Sequence, residues 1–457
     1  MITDGGTISA VATPPGRGSV GIVRVSGPAA TYIAEQIGGR VPPAREAILS
    51  DFSIRDENDT RYVVDRGLML HFPGPNSFTG EDVTEFQCHG GPVVLDLLHA
   101  ETVRLGARVA RAGEFTERAF LNNKLDLAQA EAIADLIDSA SAQAAKNAAR
   151  SLQGEFSVRI TALVESLIHL RMYIEAAIDF PEEEVDFLAD THIVDQTTSL
   201  IADLDRVLDS ARQGALMREG MTLVLAGKPN AGKSSLMNSL AGRDTAIVTA
   251  IPGTTRDILR EHIAIDGLPV HIIDTAGLRE SPDEIEQEGI RRALDEIRNA
   301  DRLLLVIDST STDTPDELIS TYFRGLEDQL PAITIIHNKA DLSGLEPGLS
   351  KNGETTICRI SAKTGVGVDD LKTHLKSLVG YQNVNEGHFS ARRRHIDALE
   401  RARAEICLGL NQLRLDSAGE LMAENLRIAQ EALGEITGVF RSDDLLGRIF
   451  SSFCIGK

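Results

Sequence analysis

The segment Gly227–Ser234 (GKPNAGKS) has the glycine, lysine and serine spacing of a phosphate-binding loop. The apolar run Met221–Ala226 before it predicts a strand, and Ser235–Asn238 after it opens a predicted helix. Backbone N–H groups of a glycine-rich turn and a helix N-terminus hold phosphate oxygens without bulky side chains. We therefore predict that Lys233 reaches the β- and γ-phosphates and that Ser234 ligates Mg²⁺.

Two later segments have the residue types of nucleotide-sensing switches. Thr254 and Thr255 lie in the sequence GTTRD, where a hydroxyl is predicted to reach the Mg²⁺ ion. Asp274–Gly277 (DTAG) follows the apolar run Val270–Ile273. Asp274 is predicted to hold Mg²⁺ through water, and the backbone amide of Gly277 is predicted to contact the γ-phosphate.

Two further segments predict recognition of guanine. Asn338–Asp341 (NKAD) follows the apolar run Ile333–His337, and Ser361–Lys363 (SAK) lies further along the chain. The Asp341 carboxylate can accept from guanine N1–H and its exocyclic amine, a donor pair that adenine lacks, while SAK supplies a backbone amide to the guanine oxygen. Each motif alone is compatible with an ordinary surface loop. The phosphate loop, GTTRD, DTAG and NKAD are four motifs in the expected order, and together they predict GTP as the nucleotide.

Hydrolysis also needs a group that orients water, and the position after DTAG is Leu278, where Ras-like switches use Gln. Glu286 is the candidate for water orientation or general base, and an exposed carboxylate at a helix start is the alternative interpretation. The transition state needs additional positive charge. The Asn230 side-chain carbonyl could coordinate K⁺ beside the phosphates, and Arg256 is the protein alternative unless it forms a salt bridge within the switch.

The elements that position these groups fall into four segments. Residues 1–121 alternate β-rich runs with Gly/Pro turns and predict an α+β domain, whereas residues 122–219 predict helices. Residues 220–380 alternate apolar strands with amphipathic helices, which is typical of a parallel α/β sheet. Residues 381–457 are again helical in pattern. The α/β domain is thus predicted to be inserted in a helical domain, with its two ends close together.

Individual elements can be predicted within these segments. Strands and one helix are predicted in the first segment, and long helices are predicted in the helical segments. The stretch Leu125–Asp179 contains no Pro and a single Gly, Gly154. The predicted strands are Val20–Val25, Gly67–His71 and Val83–Gln87, and the predicted helices or helical stretches are Pro92–Leu105, Leu125–Asp179, Ile201–Arg218, Ile396–Leu413 and Leu421–Leu433.

Composition narrows the functional classes. The net charge of -22 and the absence of Trp argue against a broad polyanion-binding surface or an aromatic platform for single-stranded nucleic acid. The run Arg392–His395 is a candidate local basic patch, and a solvated helix start explains it equally well. The four cysteines match no zinc spacing, and the chain shows neither a secretory signal nor an apolar run of membrane-spanning length. A cytoplasmic location is predicted.

The motifs together resemble a known family. GKPNAGKSS, GTTRD, DTAGLRE, NKAD and the terminal FCIGK are similar to the MnmE (TrmE) tRNA-modification GTPases of the TrmE-Era-like superfamily. The blocks ATPPGRGSVGIVRVSG, FPGPNSFTGEDV, HGGPV and GEFTERAFLNNKLDLAQAEAIADLI extend this resemblance over nearly the whole chain. It implies a folate-binding type of N-terminal α+β domain, an all-α domain and an inserted P-loop G domain.

The resemblance implies a function in tRNA modification. Members of the family form homodimers and assemble with the FAD-dependent MnmG (GidA) protein into a heterotetramer. Together they modify the wobble uridine U34 of certain tRNAs at C5, giving carboxymethylaminomethyl- or aminomethyluridine from a folate-derived one-carbon unit. The implied cofactors are GTP, Mg²⁺, K⁺ and 5-formyl-tetrahydrofolate or a related folate. The G domains pair across the dimer in the GTP state.

The resemblance also implies site residues. The folate contacts are Arg24, Glu85 and Lys124, with Lys457 as a fourth candidate, and Cys454 is either a nucleophile or a packing residue. The implied K⁺ ligands are Asn230, Thr249, Ile251 and Thr254, and the Mg²⁺ ligands are Ser234 and Thr255. Catalytic groups are Glu286, Lys233 and Arg256. The full set of predicted nucleotide contacts is Asn230, Ala231, Gly232, Lys233, Ser234, Ser235, Thr249, Ala250, Ile251, Pro252, Gly253, Thr254, Thr255, Asp274, Thr275, Ala276, Gly277, Asn338, Lys339, Asp341, Ser361, Ala362 and Lys363.

Two other classes of GTPase are alternatives. A regulatory GTPase in ribosome assembly would carry an appended RNA-binding module, and no GXXG clamp of the KH type is found. A membrane-remodelling GTPase would need a basic or apolar lipid-facing segment, and none is evident in the sequence. The N-terminal blocks and the CIGK tail favour the tRNA-modification class.

Overall fold

The structure is a computed structural model that consists of two compact units. The first comprises Met1–Ala134, Ser151–Ile201 and Arg401–Lys457, and the second comprises Asp135–Arg150 and Ala202–Glu400. The residues that the structure describes are 5–139, 141–179, 191–241, 260–274, 297–298, 300–324, 329–353, 355–381, 389–416, 418–439, 449–450, 453 and 456.

The first unit contains a six-stranded sheet. Its strands are β1 (Ile8–Val11), β2 (Gly18–Ser26), β3 (Ile48–Arg55), β4 (Arg61–Phe72), β5 (Val83–Gly90) and β6 (Arg108–Val109). They lie in the order β3-β4-β5-β2-β1-β6, with β1 and β6 parallel and the other neighbours antiparallel. Side chains alternate between faces along a strand, so Val23 and Val25 of β2 share one buried core with helices α1 (Ala30–Gly38) and α2 (Pro92–Arg104).

The predicted helical stretch Leu125–Asp179 is divided into several helices. After α3 (Glu114–Leu121) come α4 (Leu127–Ile137), α5 (Ala142–Leu152), α6 (Glu155–Asp179) and α7 (Thr191–Glu219). Ser141 Oγ accepts a hydrogen bond from Ala144 N and caps the start of α5. Gly154 has a φ of 89°, a left-handed conformation that ends the helical turn before α6 begins.

The second unit contains a seven-stranded sheet with helices between its strands. Five central strands are parallel and two antiparallel strands close the edges, in the order β12-β13-β11-β10-β7-β9-β8. In chain order the elements are β7 (Met221–Ala226), α8 (Lys233–Ala241), β8 (Arg260–Ile265), β9 (Leu268–Asp274), β10 (Arg302–Asp308), α9 (Pro315–Tyr322), β11 (Ile333–Asn338), α10 (Ala340–Ser343), β12 (Gly348–Asn352), β13 (Thr355–Arg359) and α11 (Val368–Leu378).

Both faces of this sheet are buried, which explains the continuous apolar strands of the sequence. Leu223 and Leu225 of β7 pack in one core that includes Leu236 of α8. Val224 of the same strand packs in a second core with Phe323. The strand predicted at Met221–Ala226 coincides with β7, and the parallel sheet is confirmed.

Two helices complete the described chain. They are α12 (Arg393–Asp416) and α13 (Gly419–Thr437), which contain the helices predicted at Ile396–Leu413 and Leu421–Leu433. Helix α13 packs along α6, and Arg171 Nη1 donates to Gln430 Oε1 over 2.7 Å between them. No helix within the described ranges is both long enough and apolar enough to span a membrane.

The two chain connections of the inserted α/β domain lie close together. Gln213 Nε2 near the end of α7 donates to Gly380 O over 2.8 Å. A Cβ on Gly214 would lie 1.9 Å from Phe389 O, so a glycine is needed where the returning chain crosses α7.

One buried carboxylate joins both connections. Asp135, whose side chain is 5% exposed, accepts hydrogen bonds from Arg218 Nε over 2.7 Å and from Arg392 Nη2 over 2.8 Å. Its second oxygen accepts from Ser390 Oγ over 2.7 Å. Arg218 belongs to the helix that leads into the inserted domain, whereas Ser390 and Arg392 belong to the returning chain.

Candidate nucleotide-binding site

The phosphate loop joins β7 to α8 through positions that accept no side chain. Gly227 has a φ of 150°, and a Cβ there would lie 2.3 Å from Val306 O. Gly232 has a φ of 98°, and a Cβ there would lie 2.1 Å from Asn338 Nδ2. Both glycines are therefore required by the close approach of neighbouring strands as well as by their backbone conformation.

The Lys233 side chain of this loop folds back over the loop backbone. Lys233 Nζ donates to Gly227 O over 2.7 Å and to Lys228 O over 3.3 Å. Ser234 and Ser235 follow in the first turn of α8, and both are exposed. A helix N-terminus beside an ammonium group and a glycine-rich turn can bind phosphate oxygens.

Asn338 connects three of the motifs predicted from the sequence. It ends β11 and is 2% exposed. Its Nδ2 donates to Ala231 O of the phosphate loop over 2.9 Å, and its Oδ1 accepts from Ala362 N of the SAK segment over 2.9 Å. The phosphate loop, NKAD and SAK segments are thus brought together by one buried amide.

The guanine-reading segment is held by a residue that sequence reasoning missed. Lys339, with a left-handed φ of 64°, precedes α10, in which Asp341 is exposed. Lys339 Nζ donates to Asp308 Oδ2 over 2.6 Å, and this hydrogen bond lowers the pKa of the Asp308 carboxyl to about 2. Asp308 is the last residue of an apolar strand and lies opposite Asn338. The motifs recognised in the sequence also follow apolar strands, so this position could have indicated Asp308.

The SAK segment forms a tight turn. Ser361 is 1% exposed, and its N–H donates to Val366 O over 3.0 Å. Its carbonyl accepts from Gly365 N over 2.8 Å, and its hydroxyl accepts from Thr364 N over 3.2 Å. Ala362 is buried against Asn338, whereas Lys363 is exposed.

Several predicted site residues lie outside the described residues. Asp274 is described as the last residue of β9, in register with Leu225 of β7. The predicted residues outside the described part of the chain are Thr249, Ala250, Ile251, Pro252, Gly253, Thr254, Thr255, Arg256, Thr275, Ala276, Gly277, Glu286, Cys454 and Lys457.

The predicted folate residues of the first unit occupy two places. Arg24 and Glu85 face each other on β2 and β5, with Arg24 Nε 2.8 Å from Glu85 Oε1. The Arg24 guanidinium lies 5.9 Å from the ring centroid of Phe78 and 5.7 Å from that of Phe115. Lys124 Nζ instead donates to the backbone carbonyl of Pro75 over 2.9 Å.

The chain terminus and a buried ion network border this pair. Arg24 Nη1 lies 3.5 Å from Gly456 O. Arg118, 2% exposed, donates to both oxygens of Glu81 over 2.9 Å and to Glu114 over 3.2 Å. Burial of Glu114 raises the pKa of its carboxyl, but hydrogen bonds from Arg108, the Arg111 backbone and Arg118 outweigh this and lower it to about 2.

Residues of the basic run Arg392–His395 bind other groups of the same chain. Arg392 bonds to Asp135, and Arg393 Nε lies 3.2 Å from Asp397 one turn later in α12. His395 is 2% exposed, and its Nδ1 accepts from Arg392 N over 3.1 Å.

The thiols described are also ordinary packing groups. Burial raises the pKa of Cys88 to about 11 and that of Cys358 to about 12. Both side chains are buried and Cys407 is half-buried, and none of the three forms a disulfide in the described structure.

Comparisons with known proteins agree with this architecture. The family model described as "GTP-binding protein TrmE N-terminus" matches residues 7–124, and that of the "MnmE helical domain" matches residues 127–454. The chain is 58% identical over 460 residues to a "tRNA modification GTPase MnmE" from Vibrio vulnificus (strain CMCP6) and equally to one from Stutzerimonas stutzeri (strain A1501). Each match covers 100% of both chains.

Among solved structures, a variant of Aquifex aeolicus Era bound to GDP.AlF4- is 20% identical, with a TM-score of 0.25, over 48% of this chain and 89% of that one. A similarity at that TM-score carries no weight beside the full-length relatives. On the two family matches and those relatives, the chain belongs to the MnmE (TrmE) family of tRNA modification GTPases, with a TrmE N-terminal domain, a helical domain and an inserted G domain.

Proposed function

We propose that this chain couples K⁺-dependent GTP hydrolysis to modification of the wobble uridine U34 of certain tRNAs at C5. The buried Asn338 supports this proposal best, because it joins the phosphate loop to both guanine-reading segments. The partner is the FAD-dependent MnmG (GidA) protein, and the product is carboxymethylaminomethyl- or aminomethyluridine. Family membership rests on relatives that carry the name tRNA modification GTPase over their full length.

The phosphate loop fits a nucleoside triphosphate. Close packing behind Gly227 and Gly232 leaves the loop backbone free of side chains, as close approach to phosphate oxygens requires. Lys233 would neutralise charge on the β- and γ-phosphates, while Ser234, with Thr255, would hold Mg²⁺. Bound Mg²⁺ supplies positive charge to the same phosphate oxygens. Asp341, exposed at the start of α10, would accept from the guanine edge.

Hydrolysis then needs water orientation and further positive charge. In our proposal Glu286 orients the water, directly or through a second water. Asn230 would hold K⁺ with Thr249, Ile251 and Thr254. Asn230 is an exposed residue of the phosphate loop with a left-handed φ of 66°.

The Arg24–Glu85 pair is the proposed folate site. A flat heteroaromatic ring with donors and acceptors on its edge suits an ion pair whose guanidinium lies near two aromatic side chains. Formyl-tetrahydrofolate would supply the one-carbon unit when bound there. Lys124 and Lys457 are proposed as outer contacts, and Cys454 either as a nucleophile or as a packing residue.

The proposed assembly is a homodimer that binds MnmG as a heterotetramer in the cytoplasm. We propose domain limits at residues 1–121, 122–219, 220–380 and 381–457. In this scheme the inserted G domains pair across the dimer when GTP binds. Distances between spin labels on the two G domains should shorten on addition of GTP, K⁺ and a transition-state mimic, and unchanged distances would reject this pairing.

Nucleoside analysis of tRNA tests the function directly. Total tRNA from cells that lack the gene should contain unmodified U34 where the parent strain has the C5-substituted uridine. Restoring the wild-type gene should return the modification, and a Lys233→Met gene should not. Intact C5-substituted uridine in the deletion strain would reject the proposed role in tRNA modification and leave the GTPase assignment standing.

A further inference from the structure

The phosphate loop carries a second lysine, Lys228, whose ammonium group is bound elsewhere. Lys228 Nζ lies 2.6 Å from Asp313 Oδ1, a residue 85 positions later in the chain. The Lys228 side chain is 55% exposed and that of Asp313 20% exposed. An exposed lysine in an anion-binding loop would otherwise be attracted to the phosphates.

Asp313 is itself held in place by the loop that follows β10. Its second oxygen accepts from Ser311 Oγ over 3.0 Å, and Ser311 N donates to Asp308 O over 2.9 Å. Asp308 in turn receives Lys339, as described above. Residues 308–313, here called the β10 loop, thus bind one lysine of the phosphate loop and one lysine of NKAD.

Lys228 and Asn230 line the same small cavity. The cavity has a volume of about 170 Å³ and is lined by residues of the phosphate loop and of the β10 loop, Asp308 and Asp313 among them. A Lys228 ammonium that is released from Asp313 therefore remains beside the residue proposed to hold K⁺. An ammonium group and a monovalent cation in one small space repel each other.

The ion pair stays charged at neutral pH. The hydrogen bond to Asp313 raises the pKa of the Lys228 ammonium, and the hydrogen bond from Lys228 lowers the pKa of the Asp313 carboxyl. Neither partner changes protonation state in the physiological range, so both keep the charges that attract them to each other.

We propose that Asp313 is a positioning residue of the GTPase site, which holds the Lys228 ammonium away from the K⁺ position beside Asn230. This inference rests on the K⁺-dependent hydrolysis proposed above. In this inference GTP hydrolysis depends on an external cation because Asp313 keeps the Lys228 ammonium from occupying the K⁺ position.

Steady-state GTP hydrolysis tests this role. Rates of the full-length protein are measured over a series of K⁺ concentrations, with Na⁺ added to constant ionic strength. Asp313→Asn should raise the K⁺ concentration for half-maximal rate about two- to fivefold, the factor that corresponds to the energy of an exposed ion pair. The maximal rate should change less than about twofold. Asp316→Asn, which removes an exposed carboxylate in the first turn of α9, should leave the K⁺ midpoint unchanged.

A double variant separates charge competition from a general disturbance. Lys228→Met combined with Asp313→Asn should return the K⁺ midpoint to within about twofold of wild type, because no ammonium remains to compete. A double variant whose K⁺ midpoint is raised as much as that of Asp313→Asn alone overturns the inference.

The same measurements distinguish this inference from the proposed function. Wild-type hydrolysis that is equally fast in Na⁺ and K⁺ overturns the proposed K⁺ dependence and this inference with it. K⁺-dependent wild-type hydrolysis with an unchanged midpoint in Asp313→Asn overturns this inference alone.

Discussion

The two sheets of this molecule build their candidate sites in different ways. In the seven-stranded sheet, β7, β10 and β11 are parallel, so their carboxyl ends meet at one edge and the loops that follow form the nucleotide site. In the six-stranded sheet, Arg24 and Glu85 lie within antiparallel strands and face each other across them. The first site uses mainly backbone groups of contiguous segments, whereas the second uses side chains from distant positions.

This difference predicts different responses to substitution. A site made of loop backbone has few side chains to lose, but those few contact the ligand directly. A site made of ion pairs has many members, and each depends on its partners for charge balance. The following four experiments test that contrast, in order of decreasing expected effect.

Lys233→Met should have the largest effect. Its ammonium is the one positive side chain that folds over the phosphate loop in the described structure, so its loss should reduce kcat/KM for GTP about 1,000-fold. Lys228→Met is the matched control, because that lysine is bound to Asp313, and it should reduce kcat/KM less than about fivefold. Comparable losses in the two variants would show that the loop does not discriminate between its lysines.

Acidification should destabilise the Arg–Glu network of the first unit. The pKa of Glu114 is lowered from 4.5 to about 2, so its stabilisation is complete above about pH 4.5 and is lost as the pH falls towards 2. The loss should be about 3 kcal/mol, measured by hydrogen exchange of α3 amides.

Glu114→Gln provides the comparison for this pH effect. Without a titrating group at position 114, α3 protection should be lower at neutral pH and should depend less on pH between 4.5 and about 2. The same pH dependence in both proteins would exclude Glu114 as its source.

Asp341→Asn should reverse the choice of base. The carboxylate is predicted to accept two hydrogen bonds from guanine, and an amide cannot accept both, so relative affinity for GTP over xanthosine triphosphate should fall about 100-fold in a competition assay. Asp369→Asn, an exposed carboxylate in the first turn of α11, should leave the preference unchanged. A variant that retains its preference for GTP would contradict the assigned role of NKAD.

Arg24→Ala should have the smallest effect of the four. Removing one member of the Arg24–Glu85 pair should weaken binding of 5-formyl-tetrahydrofolate about tenfold by calorimetry, the loss of one charge-assisted contact. GTP hydrolysis should be unaffected, and Arg66→Ala, at an exposed arginine of β4, should alter neither property. Unchanged folate affinity would place the site elsewhere.

The contrast also explains what the sequence could predict. The strand Met221–Ala226, the glycine-rich loop and NKAD are contiguous, so their spacing alone indicated a parallel α/β domain and its nucleotide-binding edge. The parallel strand order and Asn338 as the joint between motifs agree with that prediction. Asp308 was missed because a single aspartate at a strand end is a weak signal by itself.

The side-chain contacts of the first unit were harder to predict from the sequence, for a physical reason. The ring centroids of Phe78 and Phe115 lie 5.9 Å and 5.7 Å from the Arg24 guanidinium, and Arg118 pairs with Glu81 at a separation of 37 residues. Such pairs arise only when the sheet and α3 are assembled, so no local pattern contains them. The division of the stretch Leu125–Asp179, by contrast, has local causes, namely one serine cap and the left-handed Gly154.

The arrangement around Asp135 has a mechanical consequence. The helix leading into the inserted domain and the chain returning from it are fastened to the same buried carboxylate. Pulling the two connections apart would break at least one of these ion pairs, because Arg218 and Arg392 bind the same carboxylate oxygen. We therefore expect the two connecting segments to stay together at Asp135, so that they respond to a load on the inserted domain as one unit.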